Sequence, residues 1–442
     1  MRKPVAIIGA GLAGLTAAAQ LRRRGIPFTL YEAGPTIAGL ASTFSDGEGF
    51  SYDFGAHFIT NRLAAAIGVG ADCRIVRHYG ETVFLRGRTY GYPFGLMRVP
   101  RFSIGAVAAR ARAIRNEPPR SAAERFRLRY GRAMAEEIAI PLTEAWSGAK
   151  ADELAPSVGD GIPGIGRVLL LKLSGRLTRR AVACGYSREM PETPNVWHVY
   201  PEGGVALLCQ RLARGLEPAI KLHSPVEAIV VDSERVVAVR ANGREEAVSA
   251  VISTAPCHIL AKLAKGTQAL QPLARFRYRP MVFVNLRLKG RGLLPDVVTW
   301  TPEKDFPFFR LTETPLSMPW LAPEGKTLIT ADIGCEVGDP VWGAPDEELG
   351  ELCLDRLQAI IPDARQRYLG CRVLRTPIAY PVFLKGYEAE RQSFAQSTGI
   401  EGLLSVGRNG EFDHIFMEDV FWRTTRKVRQ LLSPWQQGNR AP

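Results

Sequence analysis

Three glycines, Gly9, Gly11 and Gly14, directly follow the apolar run Val5 to Ile8 and open an alanine-rich helical stretch that reaches Gly25. No other feature restricts the folding of this chain as tightly. At a strand-to-helix turn the first glycine permits the tight bend, the second lets a phosphate approach the backbone, and the third lets helix and strand pack in contact. Leu12 and Ala13 start the helix, whose unpaired N–H groups make an anion site. A second strand, Phe28 to Leu30, ends at Glu32, about 20 residues past the glycines, where an acid takes ribose hydroxyls and repels a 2′-phosphate. The segment predicts a β–α–β dinucleotide cradle for FAD or NAD rather than NADP.

At 442 residues the chain exceeds what one core usually serves, so two or three structural units are expected. A hydrophobic content of 46% is that of a globular protein. Lys and Arg number 57 against 44 Asp and Glu, a formal net charge of +13, which suits an acidic substrate or peripheral contact with an anionic membrane. Without a nucleic-acid-binding motif or an aromatic-rich basic stripe, nucleic acid is excluded as the expected partner. The seven cysteines at 73, 184, 209, 257, 335, 353 and 371 include no CxxC pair. That argues against a disulfide framework and a zinc site, and fits reduced thiols in a cytoplasmic protein. The glycines interrupt the first apolar run, so no export signal is read, and no uninterrupted run of about 18 apolar residues predicts a membrane span.

Along the chain, Ala33 to Thr43 is small and nearly uncharged, a loop able to lie against a long cofactor. A hairpin over 43–60 leads into Gly55-Ala56-His57-Phe58, where two small residues clear space beside one imidazole. Residues 98–194 are arginine-rich and helical in pattern, with arginines at 98, 101, 110, 112, 115, 120, 125, 127, 129 and 132. Strand signals return near 200, with a hairpin over Val226 to Arg240 and a buried strand ending at Pro256. Strands at 281–288, 297–300, 308–312 and 327–333 precede a helix from Asp346, then a last apolar strand at 403–407 and a helix from near Glu418. The expectation is an α/β, two-domain molecule. Its Rossmann-like nucleotide domain is assembled from 1–90, 195–265 and 395–442, and its substrate domain from a helical part, 91–194, and a sheet part, 266–394.

With GAHF at 55–58, YPEGG at 200–204, STAP at 253–256 and GRNGEF at 407–412 in this order, the chain resembles the FAD-dependent amine oxidase superfamily. Within it, the protoporphyrinogen-oxidase-like and UDP-galactopyranose-mutase-like flavoproteins are the most similar. Trp146 and Glu153, Tyr380-Pro381 and Gly386-Tyr387-Glu388 extend the likeness over nearly the whole chain. The resemblance implies FAD, with its pyrophosphate at Gly9, Gly11, Leu12, Ala13 and Gly14 and its ribose at Glu32 and Ala33. It also implies that Gly39, Leu40 and Ala41 form a second glycine motif running toward the flavin, and that Val226 holds the adenine. Gly407 and Arg408 are implied near the phosphates and ribityl chain, with Glu418, Asp419 and Val420 at a helix start facing the ring. Three departures stand out: Ala38 replaces a motif glycine, Phe416 to Asp419 differ from the closing Asn-Met-Asp, and Asn285 stands where the family commonly has a lysine.

His57 is the candidate catalytic group, since an imidazole beside the flavin can move a proton near neutral pH. Tyr92, Trp146, Trp300, Phe308, Phe309 and Tyr387 are candidates for an apolar substrate cavity. The reading is an FAD-dependent oxidoreductase that removes a hydride from a C–H or C–N bond of a large, acidic small molecule. One alternative is a non-redox isomerase of nucleotide sugars similar to UDP-galactopyranose mutase, because GAHFIT resembles that family's turn. The other is a flavoprotein with structural FAD that binds a partner. No metal site is expected, and the oligomeric state stays open.

Overall fold

The computed structural model describes residues 3–113, 117–159 and 165–437; Arg115, the side chain of Arg112 and most of the 159–166 stretch lie outside them. Five parallel strands form the nucleotide sheet in the order Ile220–Lys221, Phe28–Tyr31 (β2), Val5–Ile8 (β1), Ala250–Ser253, Leu403–Ser405. Every residue of β1 is buried, and its alternate side chains enter two different cores. Val5 and Ile7 meet the helices Leu12–Arg22 (α1), Ala206–Ala213 and Met417–Gln437, whereas Ala6 and Ile8 meet a second sheet built on the Val226–Asp232 and Arg235–Ala241 hairpin. A strand covered on both faces has to be continuously apolar, as this one is. The helix α1 stops at Arg22, short of Gly25, because Gly25 at φ +63° turns the chain with its N–H on Arg22 O.

The second unit is a seven-stranded sheet ordered Tyr368–Pro381, Tyr278–Lys289, Lys326–Gly334, Arg310–Thr312, Val298–Trp300, Glu81–Leu85, Arg88–Gly91. Its last two strands come almost entirely from the 1–90 stretch assigned to the nucleotide unit by sequence; Glu81–Leu85 runs parallel to Val298–Trp300. One face packs Val282, Val284, Leu286 and Ile329 against the Asp346–Leu357 helix. The other receives Phe50 and Tyr52 of the Thr43–Ser45 and Ser51–Asp53 hairpin, against Met281, Phe283 and Leu374. That docking carries the following residues, Phe54 to Phe58, onto the sheet. Helices Phe94–Met97 and Pro100–Ala113 and the Ala135–Ala139 turn pack on Val83 and Leu85 through Leu96, Phe102 and Ile138. The α/β, two-unit architecture expected from sequence is the one observed.

Candidate functional site

The glycine cradle is built for a close backbone approach. Gly9 adopts φ +94°, and a Cβ there would lie 2.2 Å from Thr254 Oγ1; a Cβ on Gly14 would lie 1.9 Å from Gly9 O. Gly11 differs, for its nearest neighbour would be Ala38 O at 3.8 Å, so the space over it is open. Gly39 lies across from Gly11, and Gly407, at φ +87°, comes so near that its Cβ would meet Ala13 at 2.9 Å. Bare backbone from three distant segments, with the N-terminus of α1 between them, fits a pyrophosphate. Arg408 adds charge: its Nε donates to Ile415 O at 2.9 Å, and its guanidinium has no acidic ion-pair partner among the described residues. Burial lowers its pKa, and an anion alongside would offset that cost.

Glu32 is held by Ala10 N (2.7 Å) and Gly34 N (2.8 Å), so its carboxylate is fixed beside the first turn. The loop before Val226 is latched to the same place, Ser224 N donating to Glu32 O and His223 N to Gly34 O. Val226 follows this latch by two residues in the chain. Ala33 is exposed. Ala38 is buried at φ +88° with its N–H on Ala10 O, a conformation in which glycine is at ease and alanine is strained. The replaced glycine therefore matters for backbone geometry as well as for bulk.

At the other end, the side chains of Glu418 and Asp419 are occupied by protein. Glu418 accepts from Thr60 Oγ1 (2.8 Å), Arg62 Nε (2.5 Å) and Trp422 Nε1 (3.3 Å). Asp419 accepts from Ser187 Oγ (2.5 Å) and from the N–H groups of Arg188 and Glu189. Glu192 grips the same loop through Tyr186 N (2.5 Å) and Ser187 N (2.7 Å). What this helix start offers a ring is its unpaired amides, Val420 being the first with a backbone acceptor, Phe416 O at 3.0 Å. The clasped loop was not foreseen from sequence, because its acids, 232 and 5 residues from Ser187, have no local pattern.

The sheet supplies the opposite wall as one transverse row. Leu374, Phe283, Asp332, Arg310, Trp300 and Val83 are successive register partners across it. Residues directly opposite one another share a face, and this face meets the His57 turn: a Cβ on Gly55 would lie 3.0 Å from Phe283 and 3.3 Å from Arg310. Arg310 forms an ion pair with the fully buried Asp332 and stacks over Trp300 at 5.6 Å. Burial pushes the Asp332 carboxyl up while Arg310 and His57 pull it back. Trp300 Nε1 and Tyr79 OH both donate to Glu81, each at 2.8 Å. His57 Nδ1 is buried without a hydrogen-bond partner, 3.7 Å from Asp53 Oδ2. Sequence reading missed Arg310 and Asp332, although a lone acid inside the apolar strand Lys326–Gly334 is a usable signal.

Aromatic rings pack beside this row. Trp146 and Tyr380 pack on His414 at 5.7 and 5.2 Å, and Tyr186 stacks on Phe416 at 5.0 Å and meets His198 edge-on at 4.4 Å. Burial, then Arg408, Arg188 and Arg310, push the His414 imidazole down to about 3. Trp146 and Trp300 both pack against the Phe283 cluster on the sheet face that meets the His57 turn. Phe308 instead packs behind the sheet, and Tyr387 stacks on Phe276 in the nucleotide unit's second core. Asn285 lies inside the sheet, donating to Arg372 O (3.2 Å) and accepting from Thr330 Oγ1 (2.8 Å). Phe283, not Asn285, faces the His57 turn.

A family model described as flavin containing amine oxidoreductase matches residues 12–408. The chain belongs to this family. Its cofactor is accordingly FAD, and the glycine cradle fits it. Among solved structures, reduced UDP-galactopyranose mutase superposes with a TM-score of 0.80 at 20% identity, over 98% of this chain and 94% of that one. A putative protoporphyrinogen oxidase from Exiguobacterium sp. 255-15 gives 0.74 at 18% identity, over 98% and 99% of the two chains. Cyclohexylamine oxidase from Brevibacterium oxydans IH-35A gives 0.73 at 15% identity, over 99% and 100%. At these identities the likeness establishes the fold. A 92-residue stretch is 37% identical to zeta-carotene desaturase, chloroplastic/chromoplastic, of Zea mays; it covers 20% of this chain and 16% of that relative.

Proposed function

We propose that this chain is an FAD-dependent oxidoreductase that oxidises a C–H or C–N bond of a fairly large, acidic organic substrate. The observation that carries the reading is Arg408, which lies over the Tyr380 ring at 5.8 Å beside the His414 and Trp146 rings and has no acidic ion-pair partner among the described residues. When bound, FAD supplies acceptance of a hydride at its N5 position. The protein's part is to orient and to exclude water. Arginines hold carboxylate or phosphate groups in a fixed direction, and Trp146, Tyr186, Tyr380 and Phe416 present ring faces to an unsaturated or aromatic body. The buried, unpartnered Nδ1 of His57 is a group that could take or give a proton at the substrate.

The test is anaerobic mixing of the purified holoprotein with porphyrinogen, amine, polyene and nucleotide-sugar substrates while visible flavin absorbance is followed. Loss of absorbance with an acidic redox substrate is expected. His57→Ala should slow that loss at least roughly tenfold, the lower part of the usual range for proton transfer by a side chain being nearer a hundredfold, while FAD stays bound. An unchanged rate removes His57 from the mechanism. Turnover of a nucleotide sugar only after dithionite reduction would replace the proposal with the isomerase reading, which the same arginines could serve through a diphosphate.

A further inference from the structure

Two helices expose apolar faces beside one corner of the molecule. On the Ile165–Thr178 helix, Leu170, Leu173 and Leu177 are 62%, 58% and 79% exposed, while Leu171 is buried. Their i, i+3, i+7 spacing sets them on one side. On the Pro100–Ala113 helix, Ile104 and Val107 point to solvent while Phe102 and Ala109 are buried. The Tyr92–Met97 segment joins the two, with Tyr92 and Met97 both exposed. Lys172 Nζ donates to Tyr92 O at 3.0 Å and lies over the Phe94 ring at 5.8 Å, fixing the later helix to this corner.

Charge surrounds the apolar faces. Arg98, Arg110, Arg176 and Arg179 are exposed and have no acidic ion-pair partner among the described residues. Other arginines of this region are neutralised in place: Arg101 bonds Glu137 at 2.7 Å and Arg127 bonds Glu136 at 2.8 Å. Exposed leucines flanked by unneutralised arginines match a bilayer surface, where the side chains enter the acyl boundary and the cations meet phosphate. None of the described helices is long and apolar enough to cross a membrane, so attachment at the surface is the fitting mode. The corner is also near the site, since Tyr92 N donates to Glu81 O at 2.8 Å, and the Glu81 carboxylate holds Tyr79 and Trp300.

We infer that the Leu170, Leu173, Leu177 face and the Ile104, Val107 face form a monotopic docking surface for a bilayer containing anionic phospholipid. It moves the membrane contact expected from the arginine-rich helices onto leucines of a later helix. The inference does not depend on which reaction the site performs.

The experiment is co-sedimentation of the holoprotein with vesicles of phosphatidylcholine alone and of phosphatidylcholine with phosphatidylglycerol. Binding to the anionic vesicles is expected. Leu173→Asp with Leu177→Asp should weaken it by about tenfold or more, because burying even one leucine is worth roughly that factor. Arg176→Gln should weaken binding to the anionic vesicles by roughly fivefold and leave neutral vesicles unaffected. Retained FAD absorbance and melting temperature verify that these exposed positions leave the fold intact. No binding to either vesicle, or equal binding by the double leucine variant, overturns the inference. Self-association of the wild-type chain that the leucine variant abolishes, without vesicle binding, assigns the face to a second copy instead and also overturns it.

Discussion

Ala38 shows how one methyl group and one dihedral angle interact. At φ +88° an L-residue is strained by about 1–2 kcal/mol, and glycine relieves this at a chain-entropy cost of about 0.4–1 kcal/mol. Ala38→Gly is therefore expected to hold or raise the unfolding free energy, by up to about 1 kcal/mol, in denaturant titrations; a clear loss would mean that the methyl is a packing contact. His198 gives a pH prediction. It is 1% exposed, ringed by Phe58, Tyr79 and Tyr186, and burial pushes it down to about 4. A depressed base takes its proton more readily in the unfolded chain, so the stability it gives is present above the unfolded value of about 6.5 and lost as pH falls toward 4. Between about pH 7 and about pH 5 the loss attributable to His198 is roughly 2 kcal/mol. His198→Phe should flatten that part of the pH profile, read from denaturant midpoints at the two values.

Among the elements, the start of the Met417–Gln437 helix does two jobs. Its acids clasp the 185–189 loop and the Thr60–Arg62 turn, and its leading amides, before Val420, keep no backbone acceptor. Asp419 is 1% exposed, so Asp419→Ala strands the Ser187 hydroxyl and two loop N–H groups. The expected loss is roughly 2–3 kcal/mol in equilibrium unfolding, together with faster proteolysis in the 185–189 loop. Stability equal to that of the native chain would show that water replaces the clasp. The strands and helices themselves were largely legible in the sequence, because β1, the 226–240 hairpin and the strands at 281–333 carry period-2 or continuous apolar signals. The Glu81–Leu85 and Arg88–Gly91 strands were not, since three of the four Arg88–Gly91 residues are exposed and only pairing with Val298–Trp300 gives Glu81–Leu85 a sheet to join.

For the molecule as a whole, folding and cofactor binding are linked. FAD at about 100 times its Kd should raise the unfolding free energy by about 2.7 kcal/mol. Gly11→Asp separates the two: Gly11 has φ −76°, caps α1 and has open space above it. The apoprotein should melt as before or slightly higher, since aspartate is a favourable N-cap. The FAD-induced rise in melting temperature should vanish in scanning calorimetry, because a carboxylate would occupy and repel the pyrophosphate site. A retained rise would place the phosphates elsewhere.

The sequence alone determined the nucleotide cradle, the order of most elements and the flavin-family likeness, because glycine spacing, apolar period and short motifs are local and a strand or turn forms from its own neighbours. His57 was visible for the same reason, as one imidazole after two small residues. Only the tertiary structure decided what surrounds it. Phe283, Arg310 and Asp332 are separated by tens of residues in the chain and meet in one row because strand register, not sequence distance, sets which side chains share a face. The same holds for the solvent-facing leucines at 170, 173 and 177. Period alone predicts that such a stripe turns inward, and burial is decided by what the rest of the chain leaves uncovered.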